Sequence, residues 1–363
     1  MSTPLDFCKK RYNHLKQLMT ENELDLLWLY GGSGMGPRFK RIADTTSGLA
    51  LIIPMDDEPA LYVYSVDINS AVEESWLPIK LIERSSQAGE LVTGYANQYL
   101  KDSSKVGVNL NSMSHSTYTY YQEHMKGELT DISETIIPEV FFGLYPEEIV
   151  FQRQVSKLAD IGCTAAREAM TPGVKETDIA AEANYAMQKH GAETYSFQTI
   201  VSTGPRSAYS HGYPTARELK KDEFMLVDLG PTVDGYASDE TRTFIMGSDP
   251  KKEKMLQAMD KAVQAVIDHV KPGVSCMELD AISRRLLKEH GYPDYPHSLG
   301  HPISGFPTPI LSKASLDTLK PGMLFTVEPG IYVPGYGGVR MEENVVVIED
   351  GCEQLTKSPR LFL

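Results

Sequence analysis

The chain has 363 residues, 41% of them hydrophobic and 23% charged, a composition ordinary for globular proteins and a length sufficient for two domains. Its net charge of −14 leaves no basic excess to neutralise phosphates, which excludes nucleic acid as a main partner. The four scattered cysteines form no CxxC pair, so neither a disulfide frame nor a zinc knuckle is expected.

The first residues, MSTPLDFCKKRYNHL, lack the apolar core of a signal peptide, and no later run of about 18 apolar residues predicts a membrane helix. The expectation is a cytoplasmic protein with no membrane partner. Residues 5–22 have helical spacing, with Leu5, Cys8, Tyr12, Leu15 and Met19 on one face. Short apolar strands follow at Leu26–Tyr30, Gly48–Pro54, Pro59–Tyr64, Ile79–Ile82 and Lys105–Leu110, predicting an α/β domain. The loop GGSGMGP, Gly31 to Pro37, follows a strand but lacks both the Gly-Lys-Ser/Thr ending of a phosphate loop and GxGxxG spacing. It reads as a loop shaped by its glycines. Pro146, followed by Glu147 and Glu148, suits the first turn of a helix that runs to about Met170. The pattern changes here, which divides the chain into 1–143 and 144–363.

The second half repeats itself. Adding 100 to the numbers lays Leu324-Phe325-Thr326-Val327-Glu328-Pro329-Gly330 on Phe224 to Gly230. The same offset matches Pro172-Gly173-Val174 to Pro272-Gly273-Val274, His190-Gly191 to His290-Gly291, and Gly235-Tyr236 to Gly335-Tyr336. A fixed period across so many positions indicates an internal duplication of a helix–strand–strand unit. In each copy the apolar strand ends on an acid, Asp228 or Glu328, and a turn leads to a second strand with another, Asp239 or Glu342. The first hairpin is expected to turn through Gly230, Pro231, Asp234 and Gly235, with one strand from Tyr236 to Phe244.

Carboxylates at the ends of core strands are costly to bury unpaired, and four brought to one pseudo-twofold centre demand cations. Two divalent ions would balance their charge. With His301, in HSLGH beside Gly300, they form an oxygen-rich set with one imidazole, suited to Mn, Co, Fe or Zn. Taken singly the residues have other readings: Asp239 could pair with Arg242, and Glu342 with Arg340.

The segments DLGPTVDGYASDETRTF, HSLGH, TVEPGIYVPGYGGVRMEEN and FQTIVSTGPRSAYSH resemble the pita-bread metallopeptidases, closest to the Xaa-Pro branch of prolidase and aminopeptidase P. The resemblance spans the chain. It implies a creatinase-like α/β N-terminal domain and an α+β pita-bread catalytic domain with pseudo-twofold duplication. It also implies two divalent ions sharing a bridging water, short proline-containing peptides as substrates, and a homodimer. By position Asp228 would hold one ion, His301 and Glu328 the other, and Asp239 and Glu342 would bridge. Glu328 and His211 would be catalytic, and His211, His297, Tyr236 and Arg340 would contact substrate. The chain departs from the family where GHGxG is usual: Pro302 follows His301, and Thr308 or a neighbour stands where a second histidine belongs. That departure leaves open a non-peptide C–N hydrolase or lyase of the same fold, or a non-catalytic peptide-binding relative.

Overall fold

The computed structural model describes residues 4–31 and 37–361, and the chain divides into two compact units, 1–142 and 143–363. The core of the glycine loop at 32–36 lies outside the described residues.

The first unit is a six-stranded mixed sheet flanked by helices. Its strands are β1 (Leu26–Tyr30), β2 (Ala50–Pro54), β3 (Ala60–Tyr64), β4 (Ile79–Ile82), β5 (Lys105–Val108) and β6 (Glu128–Asp131), in the order β4-β3-β2-β1-β5-β6. The central strands β1 and β2 are apolar runs buried throughout except at Tyr30, as a sheet covered on both faces requires. The edge strand β6, ELTD, carries no apolar run, and it was not among the expected strands. The helices are α1 (Pro4–Glu21), α2 (Pro37–Ala43), α3 (Ile68–Glu74), α4 (Ala88–Ala96), α5 (His115–His124) and α6 (Ile136–Val140). In α1 the buried face is Phe7, Cys8, Arg11, Leu15, Leu18 and Met19; Leu5 and Tyr12, expected there, are only half-buried.

The second unit opens with a 3-10 turn at Pro146–Glu148 and α7 (Ile149–Glu168). Then come α8 (Glu176–Lys189), β7 (Thr194–Tyr195), β8 (Ile200–Thr203), β9 (Phe224–Leu229), β10 (Pro231–Val233), β11 (Tyr236–Ala237) and β12 (Glu240–Ile245). The second copy supplies α9 (Pro250–Ile267), α10 (Cys276–Glu289), β13 (Leu324–Val327), β14 (Gly330–Val333), β15 (Gly337–Arg340), β16 (Glu343–Ile348) and β17 (Gly351–Gln354). Sheets β12-β9-β8 and β13-β16-β17 carry the two copies, each with its own apolar core against a helix pair.

The duplication extends to the backbone. Helix α8 spans 176–189 and α10 spans 276–289. Gly173 N–H donates to Leu219 C=O at 2.8 Å, and Gly273 N–H to Leu319 C=O at 2.8 Å. Two details of the first hairpin differ from expectation. Pro231 lies in β10, and the tight turn is made by Asp234 and Gly235 alone, both with positive φ. The strand expected from Tyr236 to Phe244 is broken at Ser238–Asp239, where Asn344 reaches across from the other copy to bond the Asp239 N–H and C=O. No described helix is long and apolar enough to cross a membrane.

Candidate metal and catalytic site

All four acids sit where a strand ends or a ladder breaks. Asp228 is on β9, Asp239 in the gap before β12, Glu328 just past β13, and Glu342 between β15 and β16. At these breaks the side chains face inward while the flanking backbone remains hydrogen-bonded. Strand alternation then separates neighbours. Asp239 and Glu342 face the cavity, whereas Glu240 and Glu343 turn away onto Arg242. That guanidinium is fully buried, 2.9 Å from Glu240 Oε1 and 3.0 Å from Glu343 Oε1, and donates to the carbonyls of Thr241 and Glu342 at 3.0 and 2.7 Å. The pairing of Asp239 with Arg242 is therefore not made. Nor does Glu342 pair with Arg340 in a direct bond: its Oε2 accepts from the Thr241 hydroxyl at 2.7 Å.

His301 is carried by a segment laid against β13. Its N–H donates to Thr326 Oγ1 at 3.0 Å, and its C=O accepts from Thr326 N–H at 2.9 Å. Gly300 makes this approach possible, because a Cβ there would lie 1.8 Å from the Thr326 carbonyl oxygen. The imidazole Nε2 ends 3.4 Å from Glu328 Oε1 and 3.6 Å from Asp239 Oδ2. Ligand atoms of Asp239, His301 and Glu342 lie within 4.8 Å of one another, close enough to share one ion.

A cavity of about 410 Å³ is lined by all five of these residues and by His211, His297 and Arg340. Tyr236 is not brought to it: it is buried, and its hydroxyl donates to Glu148 Oε1 at 2.7 Å. Neither does Thr308 line the cavity. Ser304, three residues past His301, adopts φ 58°, and its hydroxyl is held by Gln152 at 3.0 Å and the Ala237 carbonyl at 3.1 Å.

The electrostatics fit a cation. Burial, then the charges of Glu342, Asp228 and Glu328, push the Asp239 carboxyl well above the usual range, with Arg340 opposing. Burial and the charges of Glu328 and Asp228 do the same to Glu342. Glu328 is pushed up to about 7, chiefly by burial, although His301 and Arg340 pull it down. Asp228 Oδ1 and Glu342 Oε1 are buried and accept no hydrogen bond. Carboxylate oxygens in that condition are rare in folded proteins unless an ion meets them.

Arg340 ties the surroundings together. It donates to Asp228 Oδ2 at 2.5 Å, to the Ser210 carbonyl and to the Tyr332 hydroxyl, both at 3.1 Å. Tyr332 lies 2.9 Å from His297 Nε2, while His297 Nδ1 lies 2.8 Å from the Ser298 carbonyl. Nδ1 therefore carries the proton and Nε2 accepts. Burial is the main cause that lowers His297 to about 4, so the ring is neutral near pH 7. Sequence reasoning missed Tyr332, and also Phe197, Ile200 and Tyr213, which form an apolar wall of the cavity. The repeat offset could have found Phe197, since it is the counterpart of His297.

Residues 151–349 match the family described as metallopeptidase family M24, and residues 11–138 match the creatinase/prolidase N-terminal domain. The chain is 33% identical over 369 residues to the Xaa-Pro dipeptidase of Pyrococcus furiosus, covering 98% of this chain and 100% of that relative. It is 30% identical over 318 residues to the Xaa-Pro dipeptidase of Lactobacillus helveticus, covering 86% of each. Among solved structures, the prolidase from Pyrococcus furiosus aligns with a TM-score of 0.84 at 31% identity, covering 95% of this chain and 100% of that one. The prolidase from Pyrococcus horikoshii aligns with a TM-score of 0.87 at 26% identity, covering 98% and 100%.

Proposed function

Because the chain belongs to metallopeptidase family M24, we propose that it hydrolyses the bond before proline in short Xaa-Pro peptides, using two divalent ions of the Mn, Co, Fe or Zn class. The observation that carries this reading is the pair of buried carboxylate oxygens without hydrogen-bond partners, Asp228 Oδ1 and Glu342 Oε1, in a cavity with two further acids and an imidazole. Asp228 would hold one ion, His301 and Glu328 the other, with Asp239 and Glu342 between them. When bound, such ions activate water and polarise the scissile carbonyl.

The chain's own groups do the rest. Glu328 takes a proton from the attacking water at its carboxylate and returns it to the proline nitrogen as the C–N bond breaks. His211, exposed at the cavity rim, donates a hydrogen bond to the substrate near that bond. Arg340 is spent on Asp228, Ser210 and Tyr332, and supports the reading as a positioning group more than as a substrate contact. Phe197, Ile200 and Tyr213 suit an apolar proline ring. The assembly proposed is a cytoplasmic homodimer; light scattering that reports a monomer at micromolar concentration refutes the dimer.

The decisive measurement is a dipeptide panel, Xaa-Pro against Xaa-Ala, with Mn, Co or Zn supplied. Cleavage of Xaa-Pro alone is expected. No cleavage of any Xaa-Pro peptide would shift the assignment to a non-peptide C–N bond.

A further inference from the structure

One wall of the cavity is the loop 204–215, which contributes Ser210, His211 and Tyr213. Both ends of this loop meet at one side chain. Glu176 opens α8 and is fully buried. Its Oε1 accepts from the Thr203 N–H at 2.8 Å and the Thr203 hydroxyl at 2.9 Å. Its Oε2 accepts from the Thr215 N–H at 2.9 Å, the Thr215 hydroxyl at 2.7 Å, and the Arg206 guanidinium. Arg206 also donates to the Tyr213 carbonyl at 2.9 Å. Five donors, from just before the loop, within it and at its end, thus converge on one carboxylate. Next to His211, Gly212 lies so close to β8 that a Cβ would fall 2.6 Å from the Ser202 Cβ.

The fold itself does not require an acid at this place. The second copy provides the same backbone seat with Cys276. The Glu176 N–H donates to the Arg217 carbonyl at 3.0 Å, and the Cys276 N–H to the Asp317 carbonyl at 3.0 Å. The bridges Lys175–Glu218 and Ser275–Thr318 correspond as well. Yet Cys276 is fully buried among apolar side chains of the second core. The difference follows the loops. At the place of His211 the second copy has Leu311, fully buried and bridged to Gly300.

We infer that Glu176 is a positioning residue: it clamps both ends of the 204–215 loop so that His211 and Tyr213 stand against the scissile bond. This rests on the role given to His211 above. The buried carboxylate saturates its lone pairs with loop donors, so it fixes the loop without touching substrate.

Glu176→Gln tests it. The amide keeps the size and leaves one oxygen for Thr203, but turns an NH2 onto the donors of Thr215 and Arg206. In the metal-loaded enzyme kcat on an Xaa-Pro dipeptide is expected to fall roughly tenfold to hundredfold, up to the lower end of what removing one preorganised hydrogen-bond donor at the reacting group costs. In a His211→Ala background the same change is expected to cost less than about twofold, because the two act through one group. An equal loss in both backgrounds overturns the inference, since a general structural weakening is additive. Amide exchange by mass spectrometry on the metal-free protein reads the clamp without activity. Faster exchange confined to 204–215 is expected in Glu176→Gln; unchanged exchange there overturns it. If Glu176→Gln does not fold, Thr215→Val removes one hydroxyl and should show the same two signatures at smaller size. Should the wild type cleave no Xaa-Pro peptide, the functional reading falls, and the exchange measurement still decides whether Glu176 holds the loop.

Discussion

Asp239 occupies the position where the two copies of the repeat meet. Its backbone is held by Asn344 of the other copy, while its carboxyl faces His301 and the remaining acids. Asp239→Asn removes one charge without changing shape. Metal content by elemental analysis should fall, and kcat/KM should drop by more than about 100-fold, beyond what outer partners of a metal site usually cost. The far-UV spectrum should be unchanged. Retention of two ions and full activity would remove Asp239 from the ligand set. His297 gives a second test at this scale. Its lowered folded pKa means that the unfolded chain binds more protons between pH 6.5 and 4, so stability rises with pH across that window. Going from 6.5 to about 4 at about 1.4 kcal/mol per pH unit, its linkage is worth up to about 3 kcal/mol. The raised carboxyls of Asp239, Glu342 and Glu328 act with the opposite sign in the metal-free protein, so the test is a difference: in urea unfolding, the change in stability from pH 4 to 6.5 should be less positive in His297→Gln than in the wild type by up to about 3 kcal/mol. The same pH dependence in both proteins would remove His297 from the effect.

At the scale of elements, the segment carrying His301 depends on Gly300. Gly300→Ala sets a methyl against the Thr326 carbonyl, so the segment must lift from β13 and take the imidazole with it. A cost of about 1–3 kcal/mol in unfolding free energy is expected, with metal affinity falling alongside. Thermal melts and metal titration check both; a variant with wild-type metal affinity would show that the segment tolerates the displacement. The glycine before His301 was legible as a residue that permits close backbone packing, but the Thr326 carbonyl that requires it lies across the chain. The acids were legible because each lies at or beside an apolar strand and recurs in the second copy, 100 residues on for Asp228 and 103 for Asp239. What stayed hidden depends on contacts across the chain. The break at Ser238–Asp239 is made by Asn344, about a hundred residues away, and nothing between Tyr236 and Phe244 announces it. The edge strand β6 has no apolar pattern to read. By position Tyr236 reads as a substrate contact, yet the short β11 turns it inward onto Glu148.

For the whole molecule, the like charges that crowd the cavity weaken the metal-free fold, and a bound cation reverses this by linkage. At a free-metal concentration a hundred times Kd the gain is about 2.7 kcal/mol per site. In a unit of this size that amounts to about 5–10 °C in Tm. Scanning calorimetry of metal-free protein with added Mn or Co should show the rise in the wild type and little of it in Asp239→Asn. Equal shifts in both proteins would place the stabilising ion elsewhere.

A site built around a pseudo-twofold axis carries an ambiguity, because the axis is indifferent to direction and a peptide is not. Were the two copies identical, a substrate could lie across the centre in either sense with equal energy. The places where the copies disagree remove that degeneracy. His301 has Val201 as its counterpart, His211 has Leu311, and Glu176 has Cys276. The first copy therefore brings one imidazole to the cavity, His211 on a clamped loop, and the second brings two, His297 and His301, the latter on a strand-bound segment. The polarity of the substrate is written in these mismatches, not in the four acids that the copies share. A dipeptide of inverted order, Pro-Xaa, should accordingly remain intact under conditions that consume Xaa-Pro, and its cleavage at a comparable rate would mean that the mismatches impose no direction.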